Sequence, residues 1–328
     1  MELGSIMEFL NNKSILVIGA TGFLGKIFVE KILRVQPKVK KLYLLLRAVD
    51  TRSAEERLHN EVIGMALFDV LREQHGASLY SFVYEKVTPV PGDISCVDLG
   101  IRDSLLKGQI WNEIDTVINC AATTNFDERY DVALGINTLG PLHLLNFVKK
   151  CNSVEVLVHL STVPLVIIRP TMVTSTYQEP FPGWIEGVRT VDGVAVGYAK
   201  GKLKHFPFKP QLIVDVIPAD MVINALIMAM VEYANRSTTS EIIYHKHYKD
   251  KYTALDRSLK RGMRLAKLYE PYVFFKGIFD DTNSEKLQIA ARETCSEADA
   301  FNFDPTSVNW EAYMMDVHFP GLVKYVLK

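Results

Sequence analysis

Apolar residues in this chain fall into short dense runs. Between the runs they recur every three or four positions. Ser14–Gly19, Lys41–Arg47, Val83–Pro91, Asp115–Cys120 and Val154–Leu160 are the runs, and each reads as a strand. In the second run Leu42, Leu44 and Leu46 fall on one face and Tyr43 and Leu45 on the other. That continuity suits a parallel strand covered on both sides. Lys26–Val35, Ser53–Gln74 and Tyr130–Lys150 carry the helical spacing between them. Strands alternating with helices predict an α/β protein with a Rossmann-type doubly wound parallel sheet.

The alternation breaks after the fifth strand. Ser161-Thr162-Val163-Pro164 leads at once into Leu165–Ile168, a sixth apolar run. Parallel neighbours need a crossover of at least about ten residues, normally a helix. The crossover after strand five is therefore incomplete. Either the two runs form one long strand, or the sheet cannot be completed in the usual way. Pro164 adds difficulty, because it removes a ladder donor. From Thr171 to Phe208 the pattern reads as loop with short helices. A strand at Gln211–Val216, a helix at Asp220–Tyr233, a short strand at Glu241–His245 and helices at Tyr252–Glu270 and Ser284–Ala298 follow, and the chain ends in a short apolar segment, Leu322–Leu327.

Composition narrows the classes. The chain has 328 residues, is 48% hydrophobic and carries a net charge of −1, which gives no electrostatic case for a nucleic-acid partner. Cys96, Cys120, Cys151 and Cys295 are far apart and form no C-x-x-C pair, so buried free thiols are expected rather than disulfides or a zinc site. No H-E-x-x-H occurs, and no metal site is expected. Met1–Asn12 has the character of neither a secretory signal nor a transit peptide. Met221–Ala234 is too short to span a bilayer and reads as a buried helix.

The most informative chemistry is in the first turn. Strand one runs into Gly19-Ala-Thr-Gly22-Phe-Leu-Gly25, and a helix follows directly. In such a unit Gly19 permits the tight turn, Gly22 lets backbone approach a pyrophosphate, and Gly25 lets helix and strand pack closely. The free N–H groups of the helix start then face negative charge. A glycine triplet alone could serve a packing turn. Here the strand before and the helix after favour a dinucleotide site.

These residues and others along the chain resemble the plant alcohol-forming fatty acyl-CoA reductases, within the extended short-chain dehydrogenase/reductase superfamily. The matching segments are Gly-Ala-Thr-Gly-Phe-Leu-Gly-Lys at 19–26, Leu-Tyr-Leu-Leu-Leu-Arg at 42–47, Pro-Gly-Asp-Ile-Ser at 91–95 and Val-Ile-Asn-Cys-Ala-Ala-Thr-Thr-Asn-Phe-Asp at 117–127. His-Leu-Ser-Thr at 159–162, Ile-Ile-Arg-Pro-Thr-Met-Val at 167–173, Val-Ile-Pro-Ala-Asp-Met-Val at 216–222 and Pro-Gly-Leu-Val-Lys-Tyr at 320–325 extend the match over nearly the whole chain. The resemblance implies NADPH-dependent reduction of a long-chain acyl-CoA to a primary alcohol, through an aldehyde. It places Gly19, Thr21, Gly22, Phe23, Leu24 and Gly25 around the cofactor, with Asp93 and Ile94 at the adenine and Ala121 and Ala122 beside the nicotinamide. Asn137 matches a structural asparagine. Arg47, at the end of strand two, suits a 2′-phosphate, where an acid would prefer a ribose hydroxyl. It also implies a reductase domain over 1–240, truncated near 162–163, and a small mainly helical C-terminal domain over 246–328.

Where the resemblance stops is as informative. A reductase of this superfamily protonates the developing alkoxide with a tyrosine, whose pKa a lysine four residues later lowers. A Ser or Thr at the end of strand five binds the carbonyl, and Thr162 is the candidate. The Tyr-x-x-x-Lys pair belongs on the helix between strands five and six, which this chain lacks. Tyr198 and Lys202 have the spacing but lie after strand six beside Gly197 and Gly201, and are read as a decoy. Tyr248 and Lys251 have the wrong spacing. A second join is inferred at His245–Lys246. Three readings stand: an acyl-CoA reductase, a catalytically inactive nucleotide-binding remnant or partner of related reductases, and another extended reductase or epimerase. The C-terminal match disfavours the third. The implied place is the cytosol or the cytosolic face of the endoplasmic reticulum, with peripheral membrane contact left open.

Overall fold

A computed structural model describes residues 5–123, 128–160, 166–188, 190–203, 214–235 and 281–327. Ser161, Thr162 and Pro164, the expected strand Glu241–His245, the join at His245–Lys246, the pair Tyr248 and Lys251, and the expected helix Tyr252–Glu270 lie outside these residues.

Among the described residues six strands form one parallel sheet: β1 (Ser14–Ile18), β2 (Lys41–Leu46), β3 (Val87–Pro91), β4 (Thr116–Asn119), β5 (Val156–Leu160) and β6 (Val166–Ile168). Their order is β3-β2-β1-β4-β5-β6, with β1 and β4 adjacent where the winding reverses. Strand β3 carries Pro89 and Pro91, which cannot donate to a ladder. An edge position accommodates them.

The sheet alternates as expected. Ile15, Val17, Leu42, Leu44, Leu46, Ile118 and Val158 belong to one core cluster. Leu16, Ile18, Tyr43, Leu45, Val117 and Leu157 belong to a second, on the opposite face. Helix α2 (Phe23–Val35) packs with the first cluster and α8 (Gly140–Val148) with the second.

The sheet is completed after all. Strand β6 pairs parallel with β5, Val158 facing Val166, although only residues 161–165 lie between the strands. The geometry allows this because β6 is three residues long and begins level with the middle of β5. The chain need return only about 7 Å along the strand and about 5 Å across it, within reach of five residues. An ordinary crossover helix has no room in that connection.

Other elements depart from the reading of the sequence. Val83 lies in a helix, α5 (Leu79–Lys86), so β3 starts four residues later than expected. Ser53–Gln74 is not one helix. It divides into α3 (Thr51–Arg57), a widened turn at Leu58–Ile63, a tight turn at Ala66–Phe68 and α4 (Asp69–His75). Helix α6 (Ser104–Glu113) was not anticipated. Within the region expected as loop with short helices, α9 spans Thr190–Ala199, but β7 (Met172–Thr174) is an unexpected strand; it pairs in a small second sheet with β8 (Val216–Pro218), which begins at the last residue of the strand expected over Gln211–Val216. Among the cysteines Cys96 is exposed, Cys120 and Cys151 are half-buried and Cys295 is buried; all four are free.

Helix α10 (Ala219–Asn235) is buried along most of its length and touches α2, β5 and β6. Beyond it, Ala291 and Cys295 near the end of helix α11 (Thr282–Thr294), with Phe301, Phe303, Val308, Tyr313 and Leu322, join the cluster that holds Ile6, Leu10 and Phe28. The last described segment is helical from Trp310 to Tyr325 with a widened turn at Tyr313–His318. No described helix is long and apolar enough to cross a membrane.

Candidate functional site

The exits of β1 and β4 meet at the glycine turn. Gly19 has φ +83°, and a Cβ there would lie 2.6 Å from the Ala121 nitrogen and 2.8 Å from the Cys120 carbonyl carbon. Gly25 is equally constrained: its Cβ would strike the Gly19 carbonyl and approach the Ala20 Cα to 2.9 Å. Gly22 differs. It is exposed, it begins α2 without a side-chain cap, and its Cβ would meet only the Gly19 oxygen, at 3.1 Å. Two glycines thus bring backbone together, and the third keeps the helix start bare. Thr21 and Leu24 are half-buried around it. Phe23 is buried and stacks on Trp184 with ring centroids 5.2 Å apart.

The neighbouring loops are fixed by hydrogen bonds. The Ala121 N–H donates to Asn119 Oδ1 at 2.9 Å, Ala121 is half-buried and Ala122 is exposed. Asn137 clamps Thr123 from both sides: its Oδ1 accepts the Thr123 N–H at 2.8 Å and its amide donates to the Thr123 carbonyl at 3.0 Å. The structural role that the resemblance implies for Asn137 has this physical form. Asp93 Oδ1 accepts from the Ser95 N–H at 2.8 Å and from its hydroxyl at 2.7 Å. Ile94 is buried beneath Gly140, where a Cβ would lie 3.2 Å from it.

Arg47 is exposed at the end of β2. Its carbonyl accepts a hydrogen bond from Arg57 at 2.6 Å, and Arg57 is itself held by Glu61 through bonds of 2.6 and 2.7 Å. Hydrogen bonding to Arg57 holds the Glu61 carboxyl below the usual carboxylate range, and the charges of Lys26 and Arg47 add to the effect. Lys26, one residue past Gly25, is buried and pairs with Glu186. Sequence reasoning missed Lys26, Arg57, Glu61 and Glu186. Arg57 and Glu61, four apart on a helix that follows Arg47, were the available signal.

The residues present fit a dinucleotide at its pyrophosphate and adenosine ends. A bare helix start, an open glycine and adjacent cations are what those groups require. At the other end Asn119 and His159 lie opposite one another on β4 and β5. The Asn119 amide nitrogen is buried without a hydrogen-bond partner among the described residues, and both His159 ring nitrogens are buried beside the Asn119 backbone. Burial pushes the His159 imidazole below its ordinary pKa. Thr162 lies outside the described residues. Tyr198 is 72% exposed at the end of α9. That helix stops at Ala199 and Lys202 follows in the turn, so the two share no helix face.

The chain matches the family described as Male sterility protein in two parts. The nucleotide-binding part covers residues 17–163 and 162–226, and the C-terminal part covers residues 225–328. It is 39% identical to the alcohol-forming fatty acyl-CoA reductase of Simmondsia chinensis, over 99% of each chain. The chain belongs to the fatty acyl-CoA reductase family. Fatty acyl-CoA reductase 1 of Arabidopsis thaliana is 36% identical over 98% of this chain and 99% of its own. The alignment with the Simmondsia reductase runs over 490 positions, far more than the 328 residues here, so long stretches of that reductase have no counterpart. One break falls where the nucleotide-binding match restarts, at 162–163. In fold, the chain is similar to the reductase domain of a nonribosomal peptide synthetase from Mycobacterium tuberculosis, with a TM-score of 0.54 at 16% identity over 92% of this chain and 83% of that one.

Proposed function

We propose that this chain binds NADPH through the turn at Gly19–Gly25 and turns over a long-chain acyl-CoA slowly or not at all. The cofactor, when bound, supplies hydride for an acyl thioester and then for the aldehyde. Gly22 and the start of α2 receive the pyrophosphate. Arg47, steadied by Arg57, receives the 2′-phosphate, and Asp93 and Ile94 border the adenine. Ala121 and Ala122 leave room for the nicotinamide, and Thr162 is assigned to the carbonyl.

The observation that carries the reading is the restart of the family match at 162–163, together with a five-residue connection from β5 to β6. A proton donor and its lysine need a rigid helix facing the nicotinamide, and that connection cannot hold one. The same feature supports a binding role, alone or beside complete reductases of the family.

The test is NADPH oxidation by the purified chain with C16–C30 acyl-CoA substrates, beside direct NADPH binding. Binding with a rate at least about a thousandfold below that of a complete relative is expected, because general acid catalysis and positioning are both lost. Turnover at an ordinary enzymatic rate, abolished by Thr162→Ala, would overturn the proposal.

A further inference from the structure

The segment after β3 contains an unusual backbone feature. Asp98, Leu99 and Gly100 have φ of +52°, +57° and +63°, three successive residues in the left-handed region. Glycine adopts this freely, whereas aspartate does so at some cost and leucine seldom. Such a turn persists only where its surroundings determine it.

Those surroundings have two sides. On the inner side the Leu99 side chain is fully buried, and its carbonyl accepts the Asp93 N–H at 2.7 Å. The Cys96 N–H donates to the Asp93 carbonyl at 3.0 Å, and the Leu99 N–H donates to Cys96 at 3.1 Å. The loop is closed onto its own first residue, at the two positions assigned to the adenine. On the outer side the Asp98 carboxylate pairs with Lys150 at 2.5 Å and Lys107 at 3.6 Å. Both lysines also lie over the Trp111 ring, 5.4 and 5.7 Å from its centroid. Lys150 follows α8, whose first residue, Gly140, covers Ile94.

We infer that Asp98 and Lys150 are positioning residues for the adenine end of the cofactor. They hold the left-handed turn that fixes the direction in which Asp93 and Ile94 leave β3. This rests on the reading that Asp93 and Ile94 border the adenine. Neither Asp98 nor Lys150 touches the cofactor in this arrangement, and both act through the Leu99–Asp93 hydrogen bond.

Two variants separate positioning from simple stability. Lys150→Met removes the outer anchor and leaves the core intact. Asp98→Gly removes both lysine partners but relieves a left-handed aspartate, so it should not lower the melting temperature. The measurement is calorimetric binding of NADPH and of adenosine 2′,5′-bisphosphate to the full chain, beside thermal unfolding. Both variants should bind both ligands about threefold to tenfold more weakly, with melting unchanged or, for Asp98→Gly, raised. Wild-type affinity in both variants overturns the inference, as does a loss of affinity that tracks a loss of melting temperature. If the unsubstituted chain binds neither ligand, the cofactor reading itself fails and the turn has nothing to position.

Discussion

Three glycines in seven residues perform different physical work. Gly25 stands against backbone, so Gly25→Ala should cost about 2–3 kcal/mol, measured by urea unfolding. Gly22 has φ −81°, a conformation open to alanine, and its Cβ would meet one backbone atom, the Gly19 oxygen, at a tight 3.1 Å. Gly22→Ala should therefore lower the unfolding midpoint much less than Gly25→Ala and weaken NADPH binding at least about tenfold, because the methyl group enters the phosphate cradle. If Gly22→Ala destabilised the fold as much as Gly25→Ala, that division of roles would be wrong. The glycine turn was legible in the sequence, since a strand, turn and helix start are all local. The clamp of Asn137 on Thr123 could be read only by likeness, because its partner lies fourteen residues away along the chain.

Helix α2 shows what a hydrophobic pattern conceals. Its spacing reads as amphipathic, with a polar face toward water. Instead Lys26, Glu30 and Lys31 are all buried. Glu30 pairs with Arg34 at 2.8 Å; Arg34 and Lys31 both reach Glu179, at 2.8 and 2.5 Å; and Lys31 lies over the Phe301 ring. The polar face is covered by segments about 145 and 270 positions further along, which no local pattern reports. Burial raises the Glu30 carboxyl from 4.5 to about 6, against the pull of Arg34. Between those values the folded chain keeps a proton that the unfolded chain has released. This group's contribution to stability therefore falls as pH rises from 4.5 through 6, by roughly 2 kcal/mol. Glu179, held below its usual range as Lys31 and Arg34 outweigh its burial, acts in the opposite sense as pH falls. Glu30→Gln removes the first contribution alone. Its melting temperature relative to the parent chain should be more favourable at pH 7.5 than at pH 5, and an equal difference at both values would refute the assignment. Strands were easier to read than helices for the same reason. Strand β2 is apolar on both faces, whereas α5 is two turns long and its Val83 fits either element.

At the scale of the whole molecule, the helical character of the C-terminal region was legible, but its share in the main core was not. Phe301, Phe303, Tyr313 and Leu322 pack into the cluster that contains β1 and α2. A buried network reinforces them: Tyr313 bonds to Thr174 at 2.7 Å, and His318 joins Asp192 at 2.9 Å and Ser175 at 3.1 Å. Truncation after residue 240 should therefore abolish cooperative unfolding, followed by circular dichroism, rather than release a folded nucleotide-binding domain. A sharp transition in the truncated chain would show the two regions to be independent. Tyr130, Leu139 and Leu142 are exposed along the helical segment between β4 and β5. The amino-terminal end closes the same structure. Helix α1 (Ile6–Leu10) buries Ile6 and Leu10, and Glu297 accepts from both the Ser5 hydroxyl, at 2.5 Å, and the Ile6 N–H, at 2.9 Å. Ribosomes make Ile6 almost three hundred residues before Glu297. The first helix also touches α10, which is made well before Glu297, so its apolar side is covered in stages as the chain emerges, and the Glu297 bonds at its start form last.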